Sequence, residues 1–319
     1  MSDPAATLPA SGGLVRPTSI APAAATRDEP PPGEPRRVGY LYVLPAFAVF
    51  GLFVLAPLVH AGWLSLWEWD GITAGKWAGF GNYADVVSDP QLRSAFLHSL
   101  ILLLFYALLP VIIGLVLAAA MSRTPVRGLA AFRTILFLPQ VVAMVVVAVM
   151  WRMIYAPEGP INDVLRFVGL DGLAKDWLGD FNLALPSVGL VGTWVMYGLA
   201  MVLFTAGVQK IPRSLYDAAR VDGAGAVHEF FAVTLPGLRN EIAVALTLTT
   251  IAALRNFDLI YITTRGGPGD RTTVPAFEVY QRAFETGAVG SAASIGMCLV
   301  AVILALTFLI NRIAERETR

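Results

Sequence analysis

The residues best placed to do chemistry are Arg255, Asn256 and Asp258, with Tyr261 one turn further on. They interrupt an apolar run that begins at Ile242 and resumes at Leu259. Ionisable groups inside such a run are costly in hydrocarbon and generally face protein or a water-filled path. On a helix, Arg255 and Asp258 are three residues apart and can pair. The group then reads in two ways. It lines a path and hydrogen-bonds hydroxyl-bearing solutes, with Asn256 and Tyr261 as neutral contacts. Alternatively, the charged pair lies near a membrane interface, snorkels and holds the helices together. Trp194 and Tyr197, also three apart, either present an aromatic face to a ring or pack in the core or against lipid.

Covalent chemistry finds no support. The string Gly71-Ile72-Thr73-Ala74-Gly75-Lys76-Trp77 is one residue short of a phosphate-binding loop and lacks a Ser or Thr after the lysine. His60, His98 and His228 have no ligand-like spacing. The single cysteine, Cys298, sits in an apolar run and excludes an intrachain disulfide and a cysteine-based metal cluster. There is no Gly-x-Ser-x-Gly nucleophile turn. The expectation is a chain with no catalytic residue, no metal and no cofactor of its own.

The elements that must position these residues are membrane helices. Of the 319 residues, 56% are hydrophobic and 14% charged, with mean hydropathy +0.65; soluble domains carry about 25% charged residues. Net charge is zero, so nothing points to nucleic acid. A helix needs about 20 apolar residues to cross a bilayer. Segments 40–64, 97–121, 134–155, 187–208, 242–263 and 290–311 meet or approach that length. The predicted fold is all-α and polytopic, with six membrane-spanning helices in contact with lipid. Trp63, Trp67, Trp77, Trp151, Trp177 and Tyr155 fall near segment ends, as interfacial aromatics do. Lys and Arg are richer in 1–39, 122–133, 209–240 and 312–319 than in the alternate loops, which places both termini and 209–240 in the cytoplasm. Residues 1–36, rich in Pro and Ala, read as a disordered cytoplasmic tail. A membrane domain over 37–312 and a short cytoplasmic tail over 313–319 follow. No apolar signal-peptide core lies near the start, so the first segment reads as an uncleaved anchor. In the alternate loops, 161–168 is amphipathic and expected to be structured.

Between the fourth and fifth segments lies a polar island, Lys210–Asn240. Ser214 and Asp217 have the spacing of a capping box that opens a helix. Leu215, Ala218, Ala219 and Asp222 share one face of it. Gly223 stands where a left-handed residue ends a helix. A second short helix over 224–232 presents Val227, Phe230 and Phe231, and Leu235-Pro236 is expected to end it. Such a pair either docks into a partner's pocket or packs beneath the protein's own bundle.

The pattern Asp217-Ala218-Ala219-x-x-Asp222-Gly223-Ala224-x5-Phe230-x4-Leu235-Pro236 resembles the EAA loop of permease subunits in ATP-binding-cassette importers. Asp217 stands in place of the usual Glu, keeping the charge on a shorter side chain, and Asn240 stands where Pro is common. Gly79-Phe80-Gly81-Asn82-Tyr83 with Asp89-Pro90 resembles the first outer loop of carbohydrate-type permeases. Phe132-Arg133 with Leu138-Pro139 resembles the start of their third span, and Tyr155-x-Pro157-x-Gly159-x-Ile161-Asn162 the loop after it. Phe257-Asp258-Leu259-Ile260-Tyr261, then Gly266-Gly267-Pro268-Gly269, Thr272 and Tyr280, resembles the end of the fifth span in the maltose and glycerol-phosphate branch, on the side of the first permease of a heterodimeric pair. The resemblance implies a bacterial plasma-membrane permease subunit that works with a second six-span permease, two cytosolic ATPase subunits that bind the ATP and Mg, and an extracytoplasmic solute-binding protein. It implies a sugar, a related polyol or glycerol phosphate as cargo, and a coupling role for Asp217, Ala218, Ala219, Asp222, Gly223, Ala224, Phe230, Leu235 and Pro236. The alternative is a secondary transporter driven by an ion gradient, for which Asp258 is the one suitable carboxylate and an internal repeat is missing. A membrane-embedded enzyme would need the catalytic constellation that the chain lacks.

Overall fold

A backbone N–H or C=O in hydrocarbon has no water to bond, so each apolar run closes its hydrogen bonds within itself as a helix. A computed structural model of the protein describes residues 36–123 and 128–316. The tail expected over 1–36 lies outside them except for Arg36, and so do residues 317–319. By length and composition, five helices can cross a membrane: Tyr40–Leu64, Pro90–Met121, Ala184–Val208, Arg239–Thr263 and Val289–Glu315. A bent pair, Leu129–Val141 with Met144–Ile154, gives a sixth when the two halves are taken as one span. In chain order these are spans one to six, the bent pair being span three. The chain divides into two units, 1–56 and 57–319. The first holds the helix Arg36–Phe50, with Pro45 inside it, and the π-helical turn Gly51–Leu55. Everything below concerns the second.

Span two starts earlier than its apolar run at 97. The Asp89 side chain caps the helix by accepting from the Gln91 N–H at 2.8 Å, and Pro90 fits the first turn, where no N–H is needed. Span three departs from the single helix expected over 134–155. It bends by 94° at Val142 and Ala143, whose ψ angles are 134° and 133°. Pro139 brings no N–H to the turn before the bend, so that turn is short of one helical bond. Span four is the central helix, with 67% of its apolar window buried. Small residues let its neighbours approach: a Cβ on Gly192 would run into the Tyr106 ring, and one on Gly114 of span two would meet Ala200 of span four at 2.7 Å. Without a hydrophobic drive between helices in lipid, close contact of this kind is what holds them together. Tyr106, Val147, Val188, Leu259 and Ile260 form the main core, and Ala200, Phe204 and Leu238 a second.

Two buried asparagines organise the loops at the end of the bundle opposite residues 210–240. Asn82, in the Gly79–Tyr83 string, donates from Nδ2 to the carbonyls of Ser65 and Trp67 at 2.8 and 3.0 Å. Asn162 donates to the carbonyls of Ala156, Pro157 and Lys175 and accepts at Oδ1 from the Lys175 N–H and the Trp177 indole N–H. It sits on the helix Pro160–Phe167, inside the expected amphipathic piece. The phosphate-loop look-alike at 71–77 is the turn of a two-stranded hairpin pairing Trp67–Glu68 with Lys76–Trp77. Lys76 is itself in a strand, and Trp63, Trp67 and Trp77 cluster with one another, ring centroids 5.3, 5.7 and 5.9 Å apart.

Because Asn162 satisfies both sides of its loop, Asn162→Leu strands two buried donors and three carbonyls. It is expected to lower stability by about 3 kcal/mol, read as a lower melting temperature in detergent. Asn162→Asp keeps the acceptor and loses the donors, so it should fall between the two.

Candidate functional site

Three departures from regular helix lie in three different spans. They are the π-helical turn Leu104–Leu108 of span two, the bend of span three at Val142–Ala143, and a gap in span five, where the helix stops at Leu254 and restarts at Asp258. Each contributes to one cavity of about 330 Å³: Tyr106 from the first, Met144 from just after the second, and Arg255, Asn256, Phe257 and Asp258 from the third, joined by Met196 of span four. The Tyr106 hydroxyl and the Asn256 Nδ2 are buried beside the cavity, within polar reach of each other but without a well-formed hydrogen bond. An unpaired buried polar atom costs about 1–3 kcal/mol, so both are poised to bond a hydroxyl-bearing ligand or water.

The structure corrects the expected Arg255–Asp258 pair. Among the described residues neither has an ion-pair partner, and both are exposed where they line the cavity. The pairing assumed a continuous helix. Arg255 (φ −90°, ψ 8°) and Phe257 (φ −120°, ψ −56°) break it, and the alignment three residues apart is lost. Tyr261 stands one turn beyond, stacked on Phe257 with centroids 5.2 Å apart and planes 23° apart. Trp194 and Tyr197 do not line the cavity. Trp194 packs edge-on against Trp151 at 5.6 Å, and Tyr197 is half-buried in span four. Tyr106, Met144, Met196 and Phe257 were missed in the sequence. Each looks like core on its own segment, and only the fold brings them together.

At the other end of spans four and five, residues 210–240 form a helical hairpin. Its first helix, Arg213–Val221, has Pro212 at the N-cap and no side-chain cap. The expected capping box is therefore absent: with Pro212 at the cap, Ser214 falls inside the first turn, and Asp217 points to Arg220 at 3.7 Å. Gly223 has φ +81°. The Gly223 N–H bonds the Arg220 carbonyl and the Ala224 N–H bonds the Ala219 carbonyl, both bonds of a Schellman turn. The second helix does not end at Leu235-Pro236. It runs through a π-helical turn, Phe230–Thr234, and continues over Leu235–Gly237, because the widened turn makes room for a proline that has no N–H. Arg220 Nε donates to the buried Glu229 at 2.9 Å, and the Tyr216 and Thr234 hydroxyls are 3.1 Å apart, so the two helices are clamped. Ala218, Asp222, Gly223, Leu215, Val221, Val227 and Phe231 are exposed, while Ala219, Ala224, Phe230, Leu235 and Pro236 are half-buried. A second cavity, of about 590 Å³, lies under the hairpin beside Asp217, Arg220 and Arg133.

Opposite the hairpin, one arginine ties three segments together. Arg282 contacts Glu278 at 3.3 Å, Asp89 at the start of span two at 3.0 Å, and the Ser291 hydroxyl at the start of span six at 2.9 Å. Gln91 Nε2 adds a bond to Glu278 at 3.0 Å. Burial pushes the Glu278 carboxyl above its ordinary value, and the bonds and charge of Arg282 and the Gln91 amide pull it back. His98 closes the same region with a 2.9 Å bond between Nδ1 and the Thr273 carbonyl.

The profile of a family described as binding-protein-dependent transport system inner membrane component matches residues 110–319. The chain is 36% identical over 275 residues to a probable ABC transporter permease protein, YurN, of Bacillus subtilis, covering 85% of this chain and 94% of that one. It is 33% identical over 281 residues to the diacetylchitobiose uptake system permease protein NgcF of Streptomyces coelicolor, covering 83% and 80%. Among solved structures, a bacterial alginate ABC transporter in complex with an alginate pentasaccharide-bound periplasmic protein has a chain with this fold, at TM-score 0.75, 22% identity and coverage of 89% and 96%.

The Arg282 network yields a prediction with a pH signature. A glutamate whose folded pKa lies above its ordinary 4.5 holds its proton more tightly folded than unfolded. Stability is therefore lost as pH rises through the window above 4.5. Arg282→Met removes the cation that offsets this. It should cost about 3 kcal/mol near pH 7.5, with the deficit shrinking as pH falls towards the ordinary glutamate value and Glu278 takes up its proton. Thermal melting in detergent across that range is the measurement.

Proposed function

This chain belongs to the family of binding-protein-dependent transport system inner membrane components, and we propose from that premise that it carries a saccharide or related polyol through the cavity beside Asn256. The observation that supports this reading is the convergence of three broken helical segments on one cavity with unpaired polar atoms. Irregular backbone at membrane depth is tolerated where it lines protein or a cavity, and sugar hydroxyls match the donors and acceptors left open at Tyr106 and Asn256. Diacetylchitobiose and alginate, named for a relative and for a chain of this fold, are both saccharides.

In this reading the chain works with a second six-span permease in a bacterial plasma membrane, both termini and the 210–240 hairpin being cytoplasmic. Its domains are the tail over 1–36, the membrane domain over 37–312 and the short tail over 313–319. Two cytosolic ATPase subunits hold ATP and Mg, and an extracytoplasmic protein brings the solute. The exposed Leu215, Ala218 and Asp222, with Val227 and Phe231, form the surface that enters a cleft of the ATPase. Asp217 supplies the acidic contact, Gly223 the bend, and Ala219, Ala224, Phe230, Leu235 and Pro236 the seat of the hairpin on its own bundle. Closure of the ATPases on ATP biases the spans between two access states by differential binding. Arg255, Asn256, Asp258 and Tyr261 meet the solute, and Trp194 and Tyr197 shape span four behind them.

The test is uptake of radiolabelled disaccharides by proteoliposomes holding the assembled importer and its binding protein. Gly223→Val forces a β-branched residue into a left-handed conformation, at a cost of about 1–2 kcal/mol, and Asp217→Lys reverses the docking charge. Both should abolish ATP-driven uptake while the binding protein still binds its ligand; normal uptake in both would sink the coupling assignment. Asn256→Leu should slow uptake about tenfold, the equivalent of one net hydrogen bond, with ATP hydrolysis retained. Uptake that persists without ATP and collapses with an uncoupler would point instead to an ion-driven transporter.

A further inference from the structure

The cavity under the hairpin carries no solute in the reading above, yet it is the larger of the two. Its volume of about 590 Å³ falls within the roughly 300–1,000 Å³ of small-molecule sites. Three guanidiniums line it: Arg133 from the first half of span three, and Arg213 and Arg220 from the first helix of the hairpin. Two carboxylates line it as well, and Arg220 takes both, Asp217 at 3.7 Å and Glu229 at 2.9 Å. Arg133 and Arg213 are left over. Among the described residues neither has an ion-pair partner. The Arg133 Nε is also buried and has no hydrogen-bond partner.

Each of these arginines sits where a cation is costly. A buried guanidinium N–H without an acceptor has given up its water for nothing. Arg213 opens the helix Arg213–Val221, and the N-terminal end of a helix already carries partial positive charge. An anion between them answers both costs. One guanidinium fork satisfies a carboxylate by itself, two N–H groups to two oxygens. Two forks from separate elements call for a group with more than two oxygens and close to two charges. A phosphate ester is such a group, with a charge of about −1.5 to −2 at pH 7. Gln209, at the end of span four, adds a neutral amide donor to the lining. Of the two carboxylates, Asp217 is exposed, where water and salt screen it, and Glu229 bonds Arg220 directly.

We propose that Arg133 and Arg213 bind a phosphate ester in this cavity, and that the bound phosphate ties the hairpin to span three. The cytosolic address of the site rests on the reading of the hairpin above. Two sources present the same chemistry there: a soluble phosphate ester of the cytosol, and the phosphate of a phospholipid in the inner leaflet. Either one bridges a helix of the bundle and the first helix of the hairpin. With the site occupied, the hairpin is held against the bundle and resists the displacement that coupling to the ATPases requires. The site is then a brake on the lever, set by a ligand other than the transported solute.

The test uses the assembled importer in nanodiscs, with unstimulated ATP hydrolysis as the check that variants assemble. Binding of radiolabelled glucose 6-phosphate, with glucose as control, is measured in discs of phosphatidylcholine and in discs that also hold phosphatidylglycerol. The wild type should bind the phosphate ester and not glucose. Arg133→Gln and Arg213→Gln should each weaken binding at least about tenfold, as loss of a charge-assisted bond does. Arg133→Lys keeps the charge without the fork and should fall between. Arg213 is exposed, so Arg213→Gln carries the test if Arg133→Gln fails to assemble. Such binding supports the soluble source. No bound ester, with a melting temperature that phosphatidylglycerol raises in the wild type and not in Arg213→Gln, supports the lipid source. Neither response, or responses equal in the wild type and both Gln variants, overturns the proposal, and equal ester binding places the phosphate at the ATPase nucleotide sites. The tie is read as ATP hydrolysis stimulated by the binding protein. The bound ligand should slow it at least about twofold in the wild type and leave Arg213→Gln unchanged; equal slowing in both, or none in the wild type, overturns the tie. Nanodiscs expose both membrane faces, so binding is read whichever face the hairpin occupies. Normal uptake in Gly223→Val and Asp217→Lys removes the coupling assignment and leaves the site standing.

Discussion

A polar backbone group at membrane depth must find its partner in protein or in water. The structure depends on that constraint more than on any single contact. Straight helices satisfy it at no cost in shape, which is why spans four and six are long and regular. Three segments around Asn256 depart from the regular α-helix, and each adjoins the same cavity. A break facing lipid would leave N–H and C=O groups unpaired. A break facing a wetted cavity hands them to water.

The cavity also needs walls that do not collapse into it. Span four supplies them by close packing: Gly192 admits the Tyr106 ring, and Gly198 lets the backbone of Phe137, just before the bend in span three, come within contact. These approaches bring the π-turn of span two and the first half of span three against one helix. At the far end the loops are fixed by polar side chains that bond several backbone groups at once, Asn82 and Asn162, and by Arg282 between Glu278 and Asp89. Such hubs suit a region where helix packing has ended and apolar burial is thin.

How much of this the sequence disclosed depended on whether the cause was local. Gly223 was legible because a left-handed helix end is decided by one residue. The apolar spans were legible because length and composition decide them. Ser214 misled because a capping box is a spacing rule, and Pro212, two residues earlier, took the cap. Pro236 misled for a related reason: a π-turn absorbed what would break a regular helix. The bend at Val142 has only Pro139 as a signal, three residues away, and prolines inside other helices here, such as Pro45, cause no such bend. The Arg255–Asp258 pair failed because it presumed the very helix those residues interrupt. The span-five side of the cavity was legible at Arg255–Asp258, but its other walls were not, since Tyr106, Met144 and Met196 come from three other spans and share no local pattern.

The two ends of span five explain how a push at the hairpin can reach the cavity in the proposed mechanism. Lys210 and Glu241, 3.0 Å apart, join the end of span four to the start of span five just beyond the hairpin. The Arg220–Glu229 and Tyr216–Thr234 contacts make the hairpin one stiff piece. Arg239–Leu254 then runs unbroken for 16 residues, about 24 Å of helix, to the gap at Arg255. A stiff rod transmits displacement along its axis, and the first place it can be absorbed is where its hydrogen bonds stop. That place carries Asn256 and faces Tyr106 and Met144, so a shift there changes the width and the polar lining of the cavity together. A continuous span five would carry the same displacement past the cavity to the far loops, where Arg282 and its partners would resist it.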